Sequence, residues 1–219
     1  MPRALFEKSG NAVFISHLDL MRLFQRAFKR AGLPLTHTQG YSPRPSVSIA
    51  LPLSVGIRSC CELLDFELTE YPVSYEQMVE RLNAALIDGV RIREIYPDGK
   101  KIKHLAYLDC EVQLEYDNVI PEDAKKQIEN LFTQPNLLVE KSGKNGTVNQ
   151  DIIPMIRNFE VDMIDENVLS LRARICCQNP SLNPNLIAVA ISSYLPQLKP
   201  DFVTCCRLEL YDGDDTIFR

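Results

Sequence analysis

The sequence predicts an α+β protein built from two ferredoxin-like (βαββαβ) units with antiparallel sheets, the first over 1–97 and the second over 104–219. Three observations lead there. The order strand, helix, two strands, helix, strand can be read from Arg3 to Ile95, and a similar order recurs after Pro97-Asp98-Gly99-Lys100-Lys101. The length of 219 residues also suffices for two buried cores without covalent staples. The repeat is one of element order and not of sequence.

In the first unit, Arg3 to Lys8 and Ala12 to Ile15 read as short strands about a Ser9-Gly10-Asn11 turn. Ser16 stands where an N-cap belongs, ahead of a helix from His17 to Ala31 that Gly32 and Pro34 close. Leu20, Met21, Phe24, Ala27, Phe28 and Ala31 form its apolar stripe, and Asp19, Arg22, Arg26, Lys29 and Arg30 lie elsewhere on it. Ser46 to Pro52 and Cys60 to Thr69 read as strands, Tyr75 to Ile87 as an amphipathic helix and Val90 to Ile95 as the closing strand. The second unit reads as a strand over Tyr107 to Tyr116, a helix over Glu122 to Leu131 and a strand over Leu137 to Lys141 that ends in a Gly/Asn turn. An inserted helix over Val148 to Arg157, a strand over Val168 to Cys177, a helix over Pro184 to Tyr194 and a strand over Phe202 to Tyr211 complete it.

No apolar run approaches the roughly 18 residues needed to cross a bilayer, and the amino-terminal residues lack the apolar region of a signal peptide. The expected location is cytoplasmic, with no membrane partner. Seven cysteines fall as Cys60-Cys61, Cys176-Cys177, Cys205-Cys206 and a single Cys110, an odd and vicinal set that makes a poor disulfide or zinc framework. They read as small hydrophobes in strands, so no metal and no cofactor are expected. Walker, dinucleotide-binding, nucleophile-elbow and H-E-x-x-H motifs are all missing from the sequence.

Charge is the informative feature. Between Asp19 and Glu62 there is no acidic residue, and the gap holds Arg22, Arg26, Lys29, Arg30, Arg44 and Arg58. The whole chain carries a formal charge of −5, so everything outside these six cations sums to −11. A local positive field of this kind can attract an anion that the whole molecule would repel. The helix face of Arg22 and Arg26 suits a phosphate backbone, although a solvated helix face would look much the same. Thr38-Gln39-Gly40-Tyr41-Ser42-Pro43-Arg44-Pro45 adds a loop in which Gly40 permits close approach, the prolines stiffen Arg44, and Gln39, Tyr41 and Ser42 offer bonding and stacking groups.

The remaining candidates are weaker. An imidazole is the kind of group that transfers protons near neutral pH, which makes His17 a candidate acid/base, against a plain role at the helix start beside Ser16 and Asp19. Glu62 and Asp65, three apart on a strand, face opposite sides of the sheet, which speaks against a paired-carboxylate site and leaves one of them to pair with Arg44 or Arg58.

At Ser16-His17-Leu18-Asp19-Leu20-Met21-Arg22, at Thr38 to Pro45, and at Ile49-Ala50-Leu51-Pro52-Leu53-Ser54-Val55-Gly56, the chain resembles the radical-SAM-linked domain family of bacteria, a family of unknown function. Glu62-Leu63-Leu64-Asp65 and Arg207-Leu208-Glu209-Leu210 continue the likeness, which is specific mainly over 14–68. Members of that family are fused to radical SAM proteins or encoded beside them. The resemblance implies a radical SAM protein as partner and RNA, tRNA or rRNA, as the molecule handled. It also groups Gln39, Gly40, Ser42, Pro43, Arg44 and Pro52 into one site.

This chain has no C-x-x-x-C-x-x-C motif to hold the radical SAM cluster, and position 46 is Ser where the resemblance leads one to expect a base. The combined expectation is a non-catalytic, RNA-binding partner of a radical SAM enzyme. Arg22, Arg26, Gln39, Gly40, Ser42 and Arg44 would contact RNA, with Asp19, Pro43, Pro52, Glu62 and Asp65 in support. The alternatives are an RNA-processing enzyme using His17 and a pure protein-interaction module.

Overall fold

The computed structural model describes residues 1–143 and 146–219, and the Gly/Asn turn expected after Lys141 falls in part on 144–145, outside the described residues. The fold is mixed α+β, with four α-helices and antiparallel strand pairing among the described residues. Backbone contacts divide it into two compact units, residues 1–104 with 217–219, and residues 105–216.

The first unit contains β1 (Arg3–Lys8), α1 (His17–Arg30), β2 (Val47–Ile49), β3 (Ile57–Phe66), α2 (Tyr75–Ala85) and β4 (Val90–Tyr96). Its strands lie in the order β4-β1-β3-β2. Because cross-strand partners share a face, the register Ala4↔Leu64 and Phe6↔Glu62 sets one side of the sheet and Arg3↔Asp65 the other. Ala4, Phe6, Leu64 and Phe66 are buried together with Leu20, Phe24, Ala27 and Phe28 of α1 and Met78 and Leu82 of α2. Rings fix the packing of α1, with Phe6 to Phe24 at 4.8 Å and Phe28 to Phe66 at 4.9 Å between centroids.

Local chemistry explains the helix ends. The Ser16 hydroxyl accepts from the Asp19 amide at 3.2 Å, and Gly32, at a φ of +68°, ends α1 in a conformation that glycine adopts freely. Ser74 and Gln77 form a reciprocal capping box at the start of α2. The strand expected at Ala12 to Ile15 is instead part of a 3₁₀ turn, Gly10–Phe14, in which the Ile15 amide donates to the Ala12 carbonyl. The Ser9 amide donates to the Gly89 carbonyl at 2.8 Å, so this segment is turned onto the start of β4 and does not extend a ladder.

The second unit contains β5 (Leu105–Glu115), α3 (Ala124–Phe132), β6 (Leu138–Gly143), β7 (Gly146–Asp151), β8 (Ile156–Asp165), β9 (Val168–Cys176), α4 (Asn185–Tyr194) and β10 (Phe202–Asp212). Its main strands take the order β10-β5-β9-β8, and β6 and β7 form a separate hairpin. Leu108, Cys110, Val112 and Leu114 alternate with half-buried polar residues along β5, and Leu169, Leu171, Ala173 and Ile175 alternate with Ser170, Arg172 and Arg174 along β9. The other side of these strands carries ion pairs, Arg174 to Asp109 at 2.7 Å and Arg172 to Glu111 at 3.3 Å.

The helix expected over Val148 to Arg157 does not form. That stretch is β7, a short 3₁₀ turn at Ile153–Met155 and the start of β8. Pro154 cannot donate in a helix interior, and Asp151 Oδ1 accepts from the amides of Leu137 and Ile153, which ties the end of the hairpin down. The strand expected at Leu137 to Lys141 belongs to this hairpin, and β8, which was not expected, takes the place beside β9 in the main sheet.

Candidate nucleic-acid interface

All residues of the expected interface lie in the first unit. Residues 35–45 form a narrow finger whose two arms are tied by a bridge between His37 and Pro45 and by the Thr38 amide donating to the Arg44 carbonyl at 2.8 Å. The Thr38 hydroxyl in turn accepts from the Arg44 amide at 3.0 Å, so the backbone on both sides of the tip is fixed. At the tip, Gln39, Gly40, Tyr41, Ser42, Pro43 and Arg44 are all exposed. Gly40 has a φ of +141°, which an L residue rarely adopts. Tyr41 stands in solvent with its whole surface exposed, an unusual position for a large aromatic ring.

The finger is anchored below by main-chain bonds. Leu35 bridges to Leu68, the Thr36 amide donates to the Glu67 carbonyl at 2.9 Å, and the Thr69 amide donates to the Pro34 carbonyl at 2.9 Å. These bonds place the finger's base beside the C-terminal half of α1. A cleft of about 350 Å³ lies there, lined by Gln25 and Lys29 of α1 and by Leu33, Pro34, Leu35, His37 and Pro45.

Arg22, Arg26, Lys29 and Arg30 are exposed on α1. Arg22 pairs with Asp19 at 2.9 Å, whereas Arg26, Lys29, Arg30, Arg44 and Arg58 make no salt bridge among the described residues. Bonding to the Ser16 hydroxyl first, and to Arg22 next, holds the Asp19 carboxyl below its ordinary range. Asp19 thus completes the helix cap and offsets one arginine.

The structure brings Gln39, Gly40, Ser42, Pro43 and Arg44 together on the finger and Arg22 with Arg26 on the helix, but none of these seven lines the cleft. Pro52 is exposed in the connection between β2 and β3. Asp65 does not pair with Arg44 or Arg58: it faces Arg3 in register across the sheet and accepts from Nε at 2.6 Å and from Nη2 at 2.9 Å. Glu62 is buried on the opposite side and accepts from the Ser59 hydroxyl at 2.8 Å. Both carboxylates are part of the unit's scaffold.

His17 is half-buried at the first position of α1, and its Nδ1 is buried without a hydrogen-bond partner. Sequence reading missed Lys8, which is wholly buried and donates through Nζ to the carbonyls of Val13 at 3.1 Å and Ile15 at 2.9 Å. It ties down the turn that leads into α1. The alternation Ala4, Phe6, Lys8 along β1 was the available signal, since it puts Lys8 on the core side. Sequence reading also missed Gln25 and His37, because the cleft depends on the finger being pinned to residues distant in sequence.

No group of three or more His, Cys, Asp or Glu residues among the described residues is placed to hold a metal ion. Burial pushes the Cys205 thiol up to about 12 and raises Cys110 and Cys176 as well, so these are poor thiolate nucleophiles or ligands. No helix described is long and apolar enough to cross a membrane.

A family model described as "Uncharacterized protein conserved in bacteria (DUF2344)" matches residues 2–184. The chain belongs to that family. The DUF2344 match takes in α1, the finger and the cleft, and stops immediately before α4. No curated protein matches the chain. A solved structure described as "Crystal Structure of an Unknown Protein from Galdieria sulphuraria" aligns over 96% of each chain at 10% identity, with a TM-score of 0.25, a likeness too slight to argue from.

Proposed function

We propose that this chain is a non-catalytic partner of a radical SAM enzyme that binds or presents RNA through its first unit. The observation that carries the RNA part is the pairing of two exposed features in one unit: a helix face whose Arg26, Lys29 and Arg30 have no carboxylate partner, and a stiff finger that holds Tyr41 and Arg44 in solvent. Unpaired cations attract phosphates and release counterions, and a projecting aromatic ring offers a face on which an unpaired base can stack. The radical SAM part rests on the resemblance at Ser16 to Arg22, Thr38 to Pro45 and Ile49 to Gly56. The strand orders β4-β1-β3-β2 and β10-β5-β9-β8 support reading each unit as ferredoxin-like, over roughly the two halves of the chain.

Titration of labelled single-stranded RNA at two salt concentrations tests the binding. Wild type is expected to bind with a steep salt dependence. Replacing Arg22 and Arg26 together by Ala should weaken all sequences about equally and lower the salt slope by about 1 to 2, one for each phosphate left without its arginine. Arg44→Ala should cost more than either single helix change, since the bonded finger fixes the backbone that carries its guanidinium and so lowers the ordering cost of binding. Binding indifferent to all three substitutions would remove this surface from consideration, and no binding at low salt would end the RNA reading.

A second reading, an RNA-processing enzyme, is favoured by one observation, the buried and unpartnered Nδ1 of His17. Cleavage of RNA by the purified chain, abolished in His17→Ala, would establish it.

A further inference from the structure

We infer that the cleft between α1 and the base of the finger is a pocket for one unpaired nucleotide, with the base on the apolar floor and the phosphate at Lys29. This inference rests on the RNA reading above and specifies what part of the RNA is read.

Three features of the cleft support it. The first is its lining. Leu33, Pro34, Leu35 and Pro45 give an apolar floor, while Gln25, Lys29 and His37 supply the polar groups. A volume of about 350 Å³ falls at the small end of the roughly 300–1,000 Å³ usual for small-ligand sites, which suits one base and its sugar and excludes a peptide helix.

The second is that its polar groups are unspent. The side chains of Gln25, Lys29 and His37 make no hydrogen bond or ion pair among the described residues. Gln25 offers a carbonyl acceptor beside an amide donor, the pattern that matches a base edge, and Lys29 is a mobile point charge suited to phosphate. The third is that the cleft is preformed. Its outer wall is pinned by the Leu35–Leu68 and His37–Pro45 bridges and its inner wall is the C-terminal half of a packed helix, so little ordering is left to be done on binding.

Position adds direction. Arg22, Arg26 and Lys29 run about 10 Å along α1 at 1.5 Å per residue, so a backbone tracking the two arginines arrives at Lys29 and delivers its next nucleotide to the cleft. A base inside a duplex cannot enter such a pocket. The substrate class is therefore single-stranded or looped RNA with one base splayed out.

Affinities for short homopolymers of U, C, A and G, measured by fluorescence anisotropy with wild type, Gln25→Ala, Lys29→Ala and Arg22→Ala/Arg26→Ala, give the test. It is paired with NMR titration of the ¹⁵N-labelled chain with the four nucleoside 5′-monophosphates, inorganic phosphate and an acidic peptide. We expect wild type to prefer one base, Gln25→Ala to erase about 5- to 100-fold of that preference while sparing the weakest homopolymer, and the double arginine variant to weaken all four while keeping the preference. One monophosphate should shift the amides of Gln25, Lys29, Leu35 and His37 more than inorganic phosphate does. Equal affinity for all four homopolymers, with no monophosphate shifting those amides, would overturn the pocket and leave the RNA reading standing. Equal shifts from inorganic phosphate or the acidic peptide would also overturn it, by removing the base from recognition. Monophosphate shifts without any homopolymer binding would keep the pocket and end the RNA reading.

Discussion

Replacing Arg3 by Met should destabilise the first unit by about 3–5 kcal/mol, the usual result of removing one partner of a buried ion pair. The structure says why the cost lies in that range. Arg3 is 3% exposed, its fork meets both oxygens of Asp65 at 2.6 and 2.9 Å, and Nη1 donates to the Lys100 carbonyl at 2.9 Å. Its guanidinium also lies 5.2 Å from the centroid of the Phe218 ring. Methionine fills much of the same volume but leaves Asp65, with only 15% of its side chain exposed, without a counterion. Removing the carboxylate as well should therefore recover most of the loss: Arg3→Met/Asp65→Leu is expected within about 1–2 kcal/mol of wild type, because no buried charge is then stranded. Urea unfolding followed by far-ultraviolet circular dichroism measures this, since a slope of about 1–3 kcal/mol per molar turns a 3 kcal/mol loss into a midpoint shift of about 1–3 M. A single variant that loses under 1 kcal/mol, or a double variant worse than the single, would refute the account.

Two further outcomes follow from the same geometry. Gly89→Ala should cost more than about 1–2 kcal/mol, because a Cβ there would press on the Ser9 carbonyl and the φ of +84° suits glycine; the thermal midpoint reads this, and an unchanged midpoint would contradict it. The phenol of Tyr116 donates to the Leu198 carbonyl, and burial pushes it up to about 12. Above pH 10 the unfolded chain loses this proton while the folded one keeps it, so its contribution to stability is full below about 10 and is lost as the pH rises to about 12. Tyr116→Phe should flatten that part of the pH–stability curve, and an unaltered curve would count against the assignment.

The parts of the fold that could be read from sequence are those in which several local signals agree. Ser16, the spacing of Leu20, Phe24, Ala27 and Phe28, and Gly32 define α1 within one residue. β8 was missed although Phe159-Glu160-Val161-Asp162-Met163 alternates apolar and polar, because that signal covers only the middle of the strand. Most of its residues are exposed, two register shifts interrupt its period of two, and Asn158 takes a φ of +49°, so the pattern breaks off on both sides. The Ala12 to Ile15 run is too short and too apolar to separate strand from turn by pattern. Of the site, the basic gap and the stiff finger were visible because charge and proline are local properties. The cleft was not, since Gln25 and His37 come to line one cleft only after Leu35 has bridged to Leu68.

The fully buried Phe218 bears on how the chain is made. Phe218 belongs to the first unit, and the Arg219 carbonyl accepts from the Lys100 amide at 2.7 Å, although 105–216 form the second unit. During synthesis at roughly 5–20 residues per second, the ribosome spends on the order of 6 to 20 seconds on the intervening stretch before the first unit's last core side chain exists. Through that interval the nascent basic surface stands on an incomplete core, so its maturation is timed by the translation of the unit that follows.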